Sequence, residues 1–213
     1  MRVSLLKIIA CFILVIAGCS PPRIYTAWQK HSQPANYIQI LSACIIKDKD
    51  DSIRTSLERN MCTDLEKLGY KTSSLIRDFG PNGLRDLGQE ETYLKLCTQG
   101  IDAVFLITLI DKSKEKQFIS KKTYVFPERY YYKRIWNYKN IQADFTTENQ
   151  TGGAGYFWEA ILFNLSTLET ECVIQSATFY SLNENNAVDF EKMCIQKMIK
   201  GRILSKNSVP KAF

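Results

Sequence analysis

The sequence predicts a single α/β domain of the α+β kind, three-layer-like, in which helices pack on a mixed β-sheet. Its first half has a βαβαβ pattern, and its second half combines a β-hairpin with a final helix. The chain has 213 residues, of which 45% are hydrophobic and 23% charged. This composition supports one hydrophobic core and excludes disordered, fibrous and polytopic membrane proteins.

The first half of the domain alternates strands with helices. A near-continuous apolar run at residues 37–47 predicts a strand covered on both faces. Ile53, Leu57 and Met61 then recur at helical spacing, and the helix is expected to end at Gly69. The further predicted elements are a strand at 70–76, a loop at 78–88, a helix at 89–99 and a strand at 103–110. This order is typical of parallel βαβ units.

The second half of the domain predicts a hairpin followed by a helix. Residues 156–165 and 172–182 have the composition of strands, and six residues separate them. Residues 185–204 carry apolar side chains at helical spacing. We therefore expect one domain over residues 37–204, with 205–213 as a tail.

The N-terminus has the organisation of a bacterial lipoprotein signal. Arg2 and Lys7 precede an apolar run of about ten residues, which is shorter than a membrane-spanning helix needs. The run ends in Ile16-Ala17-Gly18-Cys19, which resembles a lipobox. In that class of signal peptide the cysteine receives diacylglycerol, the chain is cut before it, and the new amino group takes a fatty acid such as palmitate. The alternative is an uncleaved anchor in which Cys19 is incidental.

The lipobox predicts a signal peptide at residues 1–18 and lipidation of Cys19, with residues 19–36 as the lipidated cysteine and its tether. Ser20, rather than aspartate, follows Cys19. By resemblance to the sorting rules of enterobacterial lipoproteins, this favours the outer membrane over the inner membrane. No acidic run follows Cys19, so we expect the protein on the periplasmic face rather than at the cell surface.

The pattern of the domain resembles a group of small bacterial envelope lipoproteins. The resemblance rests on Leu68-Gly69-Tyr70 at a helix end, on the entry of residues 100–104 into an apolar strand, and on Ser176-Ala177-Thr178 after the hairpin. Their domain is similar to the N-terminal domain of the translocation protein TolB and to the soluble part of the curli-secretion lipoprotein. The sequence departs from that pattern at Ile174, where many members have a tryptophan. The resemblance implies a mixed sheet with packed helices and no known catalytic residues.

The cysteines and acidic residues of the domain do not form a recognisable reactive site. Cys44, Cys62, Cys97, Cys172 and Cys194 are widely spaced and lie in apolar patterns, which favours inert core thiols over a zinc site. The single histidine lies in the predicted tether, so a cysteine nucleophile lacks an evident base. We expect no metal and no cofactor.

The basic aromatic segment, residues 112–139, is the most informative stretch of the chain. It contains nine basic residues against two glutamates, and eight of the 25 aromatic residues. Such a mixture is typical of nucleic-acid platforms, of membrane interfaces and of glycan-binding surfaces, and it also fits a hairpin with cross-strand aromatic packing. The lipoprotein signal argues against nucleic acid. The candidate contact residues are Lys121, Lys122, Tyr124, Arg129, Tyr130, Tyr132, Lys133, Arg134 and Trp136.

These observations predict a lipid-anchored protein of the cell envelope with a binding or structural role and no enzymatic activity. Its expected partners are the membrane, through the N-terminal lipid, and an envelope protein or an anionic lipid or glycan. A small-ligand or lipid-handling periplasmic module is the alternative, and an uncharacterised hydrolase is a second one. The sequence makes no prediction of the oligomeric state.

Overall fold

A computed structural model describes residues 23–30, 36–46, 52–81, 84, 87–111, 155–180 and 184–205. Ten helices and strands are described in these ranges. The strands are β1 (Ile24–Gln29), β2 (Gln39–Ile45), β3 (Lys71–Ser74), β4 (Ala103–Asp111), β5 (Tyr156–Asn164) and β6 (Glu169–Ser176). The helices are α1 (Ser52–Lys67), α2 (Leu75–Phe79), α3 (Gln89–Thr98) and α4 (Glu184–Lys200). The predicted α/β class is confirmed.

The six strands form one mixed sheet in the order β1-β6-β5-β4-β2-β3. Strand β2 pairs in parallel with both β3 and β4, as the βαβαβ pattern predicts. Strands β5, β6 and β1 continue the sheet in antiparallel pairs from β4. Strands β2 and β4 have neighbours on both sides and helices on both faces, and their near-continuous apolar sequences follow from that position, whereas β3 is a polar edge strand.

One face of the sheet packs against α1 and α4. The alternate residues Phe105, Ile107 and Leu109 of β4 point to this face, together with Trp158 of β5. They meet an apolar stripe on each helix, formed by Leu57, Met61 and Leu65 of α1 and by Phe190, Cys194 and Met198 of α4. All ten side chains are at most 1% exposed. This layer forms the larger of the two core clusters.

The other face of the sheet carries a second core cluster. Leu106 and Ile110 of β4 and Ile161 of β5 belong to it, and among the described helical residues Leu96 and Tyr93 of α3 pack there. Leu75 and Phe79 of α2 add to the same cluster. Helices therefore lie on both faces of the sheet, which agrees with the predicted three-layer arrangement.

The predicted tether at residues 19–36 is wrong for Ile24–Gln29, because these residues form the edge strand β1. Strand β1 pairs with β6 and so covers backbone groups that would otherwise lie unpaired at the sheet edge. Tyr25 and Ala27 are exposed, whereas Trp28 packs on the core. An edge strand with one solvent-exposed side has a mixed polar and apolar sequence. Together with the neighbouring prolines, this sequence made the segment resemble a linker.

Two predicted strand boundaries also differ from the structure. The strand expected at 70–76 ends at Ser74, since the Ser74 side chain caps α2 by accepting a hydrogen bond from the Arg77 amide at 3.2 Å. The last hairpin strand, expected at 172–182, runs over Glu169–Ser176 instead. The side chain of Asn164 accepts hydrogen bonds from the Ser166 and Thr167 amides, which closes the turn early.

Candidate functional site

The residues that the sequence singled out lie outside the described part of the chain. Cys19 precedes it, and the basic aromatic segment falls between β4 and β5. The structure therefore does not test the roles assigned to Lys121, Lys122, Tyr124, Arg129, Tyr130, Tyr132, Lys133, Arg134 and Trp136. It does define where the chain leaves the sheet before this segment and where it returns.

The chain leaves and re-enters the sheet at neighbouring positions. Asp111, the last residue of β4, is paired with Tyr156, the first residue of β5. Tyr156 is also bonded to Phe179 by two reciprocal backbone hydrogen bonds of 2.8 Å. Both attachment points of the intervening chain are thus fixed side by side.

Gly155 allows this close approach. Its φ is +84°, in the left-handed region, and a Cβ atom at this position would lie 2.6 Å from Cγ2 of Thr178. Other residues avoid this backbone conformation, and a contact that short is not tolerated without movement. Glycine is therefore required for Tyr156 to meet Phe179.

The start of β1 lies at the same end of the sheet. Ile24 is paired with Ser176, the last residue of β6, and the carbonyl of Arg23 accepts a hydrogen bond from the Ala177 amide at 2.6 Å. We call this the carboxyl end of the sheet, because β4 and β6 end there. It is defined by Asp111 and Ser176, the last residues of these strands, and by Ile24 and Tyr156, the first residues of β1 and β5. The exposed aromatic side chains of Tyr25 (77% exposed) and Tyr180 (71%) lie close to it.

A buried polar row crosses the sheet near this end. Thr108, Glu159 and Gln175 are neighbours on adjacent strands, and the Gln175 amide donates a hydrogen bond to Glu159 at 2.6 Å. Thr108 and Glu159 are completely buried. A carboxyl group inside a sheet face that is otherwise apolar is costly unless it has partners, so the hydrogen bond from Gln175 to Glu159 helps to fix the register of β5 and β6.

Glu58 is a second buried carboxyl group, and both of its oxygens accept hydrogen bonds. It accepts hydrogen bonds from the Cys44 amide at 3.0 Å, from the Ser74 hydroxyl at 2.7 Å and from the Ile76 amide at 2.7 Å. Arg54 lies 3.6 Å away. Burial raises the pKa of Glu58, while the hydrogen bonds and Arg54 oppose that effect. Glu58 joins α1, β2 and the start of α2, which is a structural role.

Glu191 of α4 is a third buried carboxyl group, and its environment is different. It is completely buried, and neither carboxyl oxygen has a hydrogen-bond partner within the described part of the chain. Burial, and then the charge of Asp64, raises its pKa to about 8, and Lys192 and Lys67 oppose this. At neutral pH the group is therefore mostly protonated, and it lies where α1 and α4 pack together.

Four of the five described cysteines are buried. Burial raises the pKa of the Cys62 thiol, that of Cys172 to about 12, and that of Cys194 well above its usual value. A thiol is a weak nucleophile unless its pKa is lowered, so these groups fill the core. Cys97 is exposed.

Metal-binding groups and membrane-spanning helices are both absent from the described ranges. Within them, no group of three or more His, Cys, Asp or Glu side chains is placed to hold a metal ion. No helix described there has both the length and the apolar character needed to cross a membrane.

Sequence reasoning missed Glu58 and Glu191, although a signal was present. Glu58 is followed by Met61, Cys62 and Leu65 at positions i+3, i+4 and i+7, and Glu191 is followed by Cys194, Ile195 and Met198 at the same spacings. Both glutamates therefore lie on the apolar stripe of their helix. A charged residue at such a position predicts a buried carboxyl group.

Comparisons with known proteins give only distant likenesses. No protein-family model and no curated protein matches the chain. Two solved structures of the PelC dodecamer from Paraburkholderia phytofirmans, one of them a point variant, are similar to it with a TM-score of 0.41 and 9% identity. Each covers 84% of this chain, and 99% and 97% of the respective PelC chains are covered. A likeness this distant carries no conclusion about function.

Proposed function

We propose that the protein is a lipid-anchored component of the cell envelope with a binding or structural role. The observation that carries this proposal is the N-terminal signal, in which Arg2 and Lys7, a short apolar run and the Ile16-Ala17-Gly18-Cys19 sequence stand in the order of a lipoprotein precursor. Acylated Cys19 would hold the mature chain to the membrane. Two or three acyl chains bury enough CH₂ groups for stable attachment, whereas one chain does not.

Ser20 supports the outer membrane as the site of attachment, with the domain on the periplasmic side. In this proposal the basic aromatic segment contacts a polyanionic surface or a protein partner of the envelope. The described part of the structure supports a contact role in one respect. Asp111 and Tyr156 hold the two ends of the intervening chain side by side, so this chain is presented from a fixed place on a rigid sheet.

A non-catalytic role is also part of the proposal. The buried thiols have raised pKa values, and Glu58 is committed to three hydrogen bonds that join helices and strands. Glu191 lies between two helices, without contact to solvent. In this proposal these groups affect the stability of the fold and do not contact a substrate.

The contact role is tested by removing four positive charges from the basic aromatic segment. Replacing Lys121, Lys122, Lys133 and Arg134 together by serine is expected to reduce binding of the protein to vesicles rich in phosphatidylglycerol by about tenfold or more at low salt. Each basic residue near an anionic membrane contributes about 1 kcal/mol. The measurement is sedimentation with vesicles, over a range of salt concentrations, of chains that begin at Ser20 and carry no lipid, because acyl chains on Cys19 would hold every variant to the vesicles.

A matched control removes the same number and type of charges from exposed positions of the described helices and strands. These are Arg59, Lys71, Lys197 and Lys200. Their replacement by serine is expected to reduce binding far less. Equal loss of binding in the two variants would show that only net charge matters, and unchanged binding in the first variant would contradict the proposed contact.

A further inference from the structure

We infer that the carboxyl end of the sheet lies against the lipid bilayer, with Arg23, Tyr25 and Tyr180 in the head-group region. This inference deepens the proposed function and rests on it, because it requires that Cys19 carries the lipid. It adds the orientation of the domain and a set of membrane-contacting residues, all of which lie in the described part of the chain.

The first argument is the length of chain between the lipid and the sheet. Strand β1 begins at Ile24, five residues after Cys19. A fully extended chain spans at most about 3.4 Å per residue, so Ile24 lies within about 17 Å of the lipidated cysteine. The expectation of a long tether up to residue 36 would have left the domain free to tumble, and β1 removes that freedom.

The second argument is the size of the sheet. Strand β5 has nine residues and is therefore about 30 Å long. If the opposite end, with the turn at residues 165–168, faced the membrane, Ile24 would lie about 30 Å from the surface. The chain from Cys19 cannot span that distance. The tether length therefore excludes the orientation with the opposite end against the bilayer and favours the carboxyl end as the end closer to it.

The third argument is the chemistry of the side chains found there. Tyr25 and Tyr180 are the two most exposed large apolar residues of the described chain, with 77% and 71% of their surface in contact with solvent. Arg23, two residues before Tyr25 in the chain, is also exposed. Tyrosine and arginine combine an apolar body with a polar tip, and this is the character of residues that lie at membrane–water interfaces.

The backbone at this end is also held rigidly. The Ala177 amide donates a hydrogen bond to the backbone carbonyl of Arg23, and Phe179 and Tyr156 exchange two backbone hydrogen bonds. Tyr180 approaches Gly155 so closely that a Cβ atom there would lie 3.1 Å from its ring. Both tyrosines are thus attached to the sheet rather than to a free tail, and contact with the bilayer would fix the orientation of the whole domain.

The test places a fluorescent label at either end of the sheet in the acylated full-length protein. Cys97→Ser removes the exposed natural thiol, and Tyr25→Cys or Ser166→Cys then introduces one labelling site at the carboxyl or the opposite end. The protein is reconstituted in vesicles of phosphatidylethanolamine and phosphatidylglycerol that contain a lipid with a nitroxide on its head group. We expect the label at position 25 to be quenched at least about threefold more than the label at position 166.

A variant with a longer tether provides the control. Insertion of about 20 Gly and Ser residues between Pro22 and Arg23 allows a mean separation of about 25 Å. If the short tether holds the sheet end to the bilayer, quenching at position 25 falls in this variant while acylation and flotation with vesicles stay unchanged. In the long-tether variant, replacing Tyr180 by serine is expected to weaken the quenching at position 25 still more, because one of the proposed membrane contacts is lost.

The two possible failures are distinguishable. Equal quenching at positions 25 and 166 in an acylated protein that floats with vesicles overturns the orientation and leaves the lipid anchor intact. A protein that carries no fatty acid and does not float contradicts the proposed function, and the orientation is then overturned with it.

Discussion

Replacing Glu191 by glutamine is expected to stabilise the protein by about 4 kcal/mol at pH 8 and by only about 1 kcal/mol at pH 5. The carboxyl group is completely buried between α1 and α4, and within the described part of the chain neither oxygen has a hydrogen-bond partner. The charged groups that face it are Asp64 and Lys67 of α1 and Lys192 of its own helix. Glutamine has nearly the same shape and carries no charge, so it resembles the protonated glutamic acid at every pH.

The magnitude follows from the difference between the folded and unfolded pKa values. The pKa of Glu191 is about 8 in the folded protein, against the usual 4.5 expected in the unfolded chain. The folded state binds this proton more tightly than the unfolded state. The contribution of this group to the free energy of unfolding is therefore fully present below pH 4.5. It is lost as the pH rises from 4.5 through 8. At 1.36 kcal/mol per pKa unit, the loss is about 1 kcal/mol at pH 5 and about 4 kcal/mol at pH 8.

The assay is urea unfolding of the full-length chain in mild detergent, followed by tryptophan fluorescence at both pH values. The free energy of unfolding of Glu191→Gln should exceed that of the wild type by about 4 kcal/mol at pH 8 and by about 1 kcal/mol at pH 5. Glu184→Gln, an exposed change in the first turn of the same helix, should show no such dependence. An equal effect of Glu191→Gln at both pH values would refute the reasoning and would indicate that Lys67 or Lys192 neutralises the carboxylate.

Two further substitutions test the buried contacts. Glu58→Gln leaves one of three donors facing an amide NH₂ group instead of an oxygen, and it is expected to lower the free energy of unfolding by about 2–4 kcal/mol. Glu66→Gln, an exposed change on the same helix, should cost less than about 0.5 kcal/mol in the same urea titration. Gly155→Ala combines a positive φ with a 2.6 Å contact to Thr178 and should lower the thermal midpoint, at a cost of about 2 kcal/mol. Gly88→Ala, which meets no atom within 4 Å, should leave the midpoint nearly unchanged, and equal effects of the two alanine variants would contradict the role of Gly155.

The sequence predicted the elements whose hydrophobic pattern is strong. Strands β2 and β4 are covered on both faces, so their apolar runs were conspicuous, and α1 and α4 carry stripes such as Leu57, Met61 and Leu65 that recur at helical spacing. Periodicity was therefore enough to predict these two strands and the two helices that pack on them.

Strand β1 could not be predicted in the same way. Its backbone pairing with β6 stabilises it, but this partner is about 150 residues away in the chain, and its exposed side carries Tyr25 and Ala27. The short helix α2 depends on Ser74, which ends β3 and caps the helix in one step. Such features depend on long-range pairing or on a single hydrogen bond, and neither leaves a repeating pattern.

For the candidate site, the sequence predicted the residue types of the contact surface and not its position on the fold. The residue types of segment 112–139 indicate a surface for anionic partners, yet the place from which this chain emerges follows from the pairing of Asp111 with Tyr156. Likewise, the position of Ile24 beside Ser176 brings the lipid attachment and the exposed tyrosines to one end of the sheet. No local sequence signal contains that arrangement.

The most direct test of the central claim is mass spectrometry of the N-terminal peptide of the protein purified from the cell envelope. The account predicts a mature chain that begins at Cys19 and carries a diacylglyceryl group and an amide-linked fatty acid, and it predicts that Cys19→Ala accumulates as an uncleaved precursor without lipid. A wild-type chain that retains Met1 or an unmodified Cys19 would contradict the account.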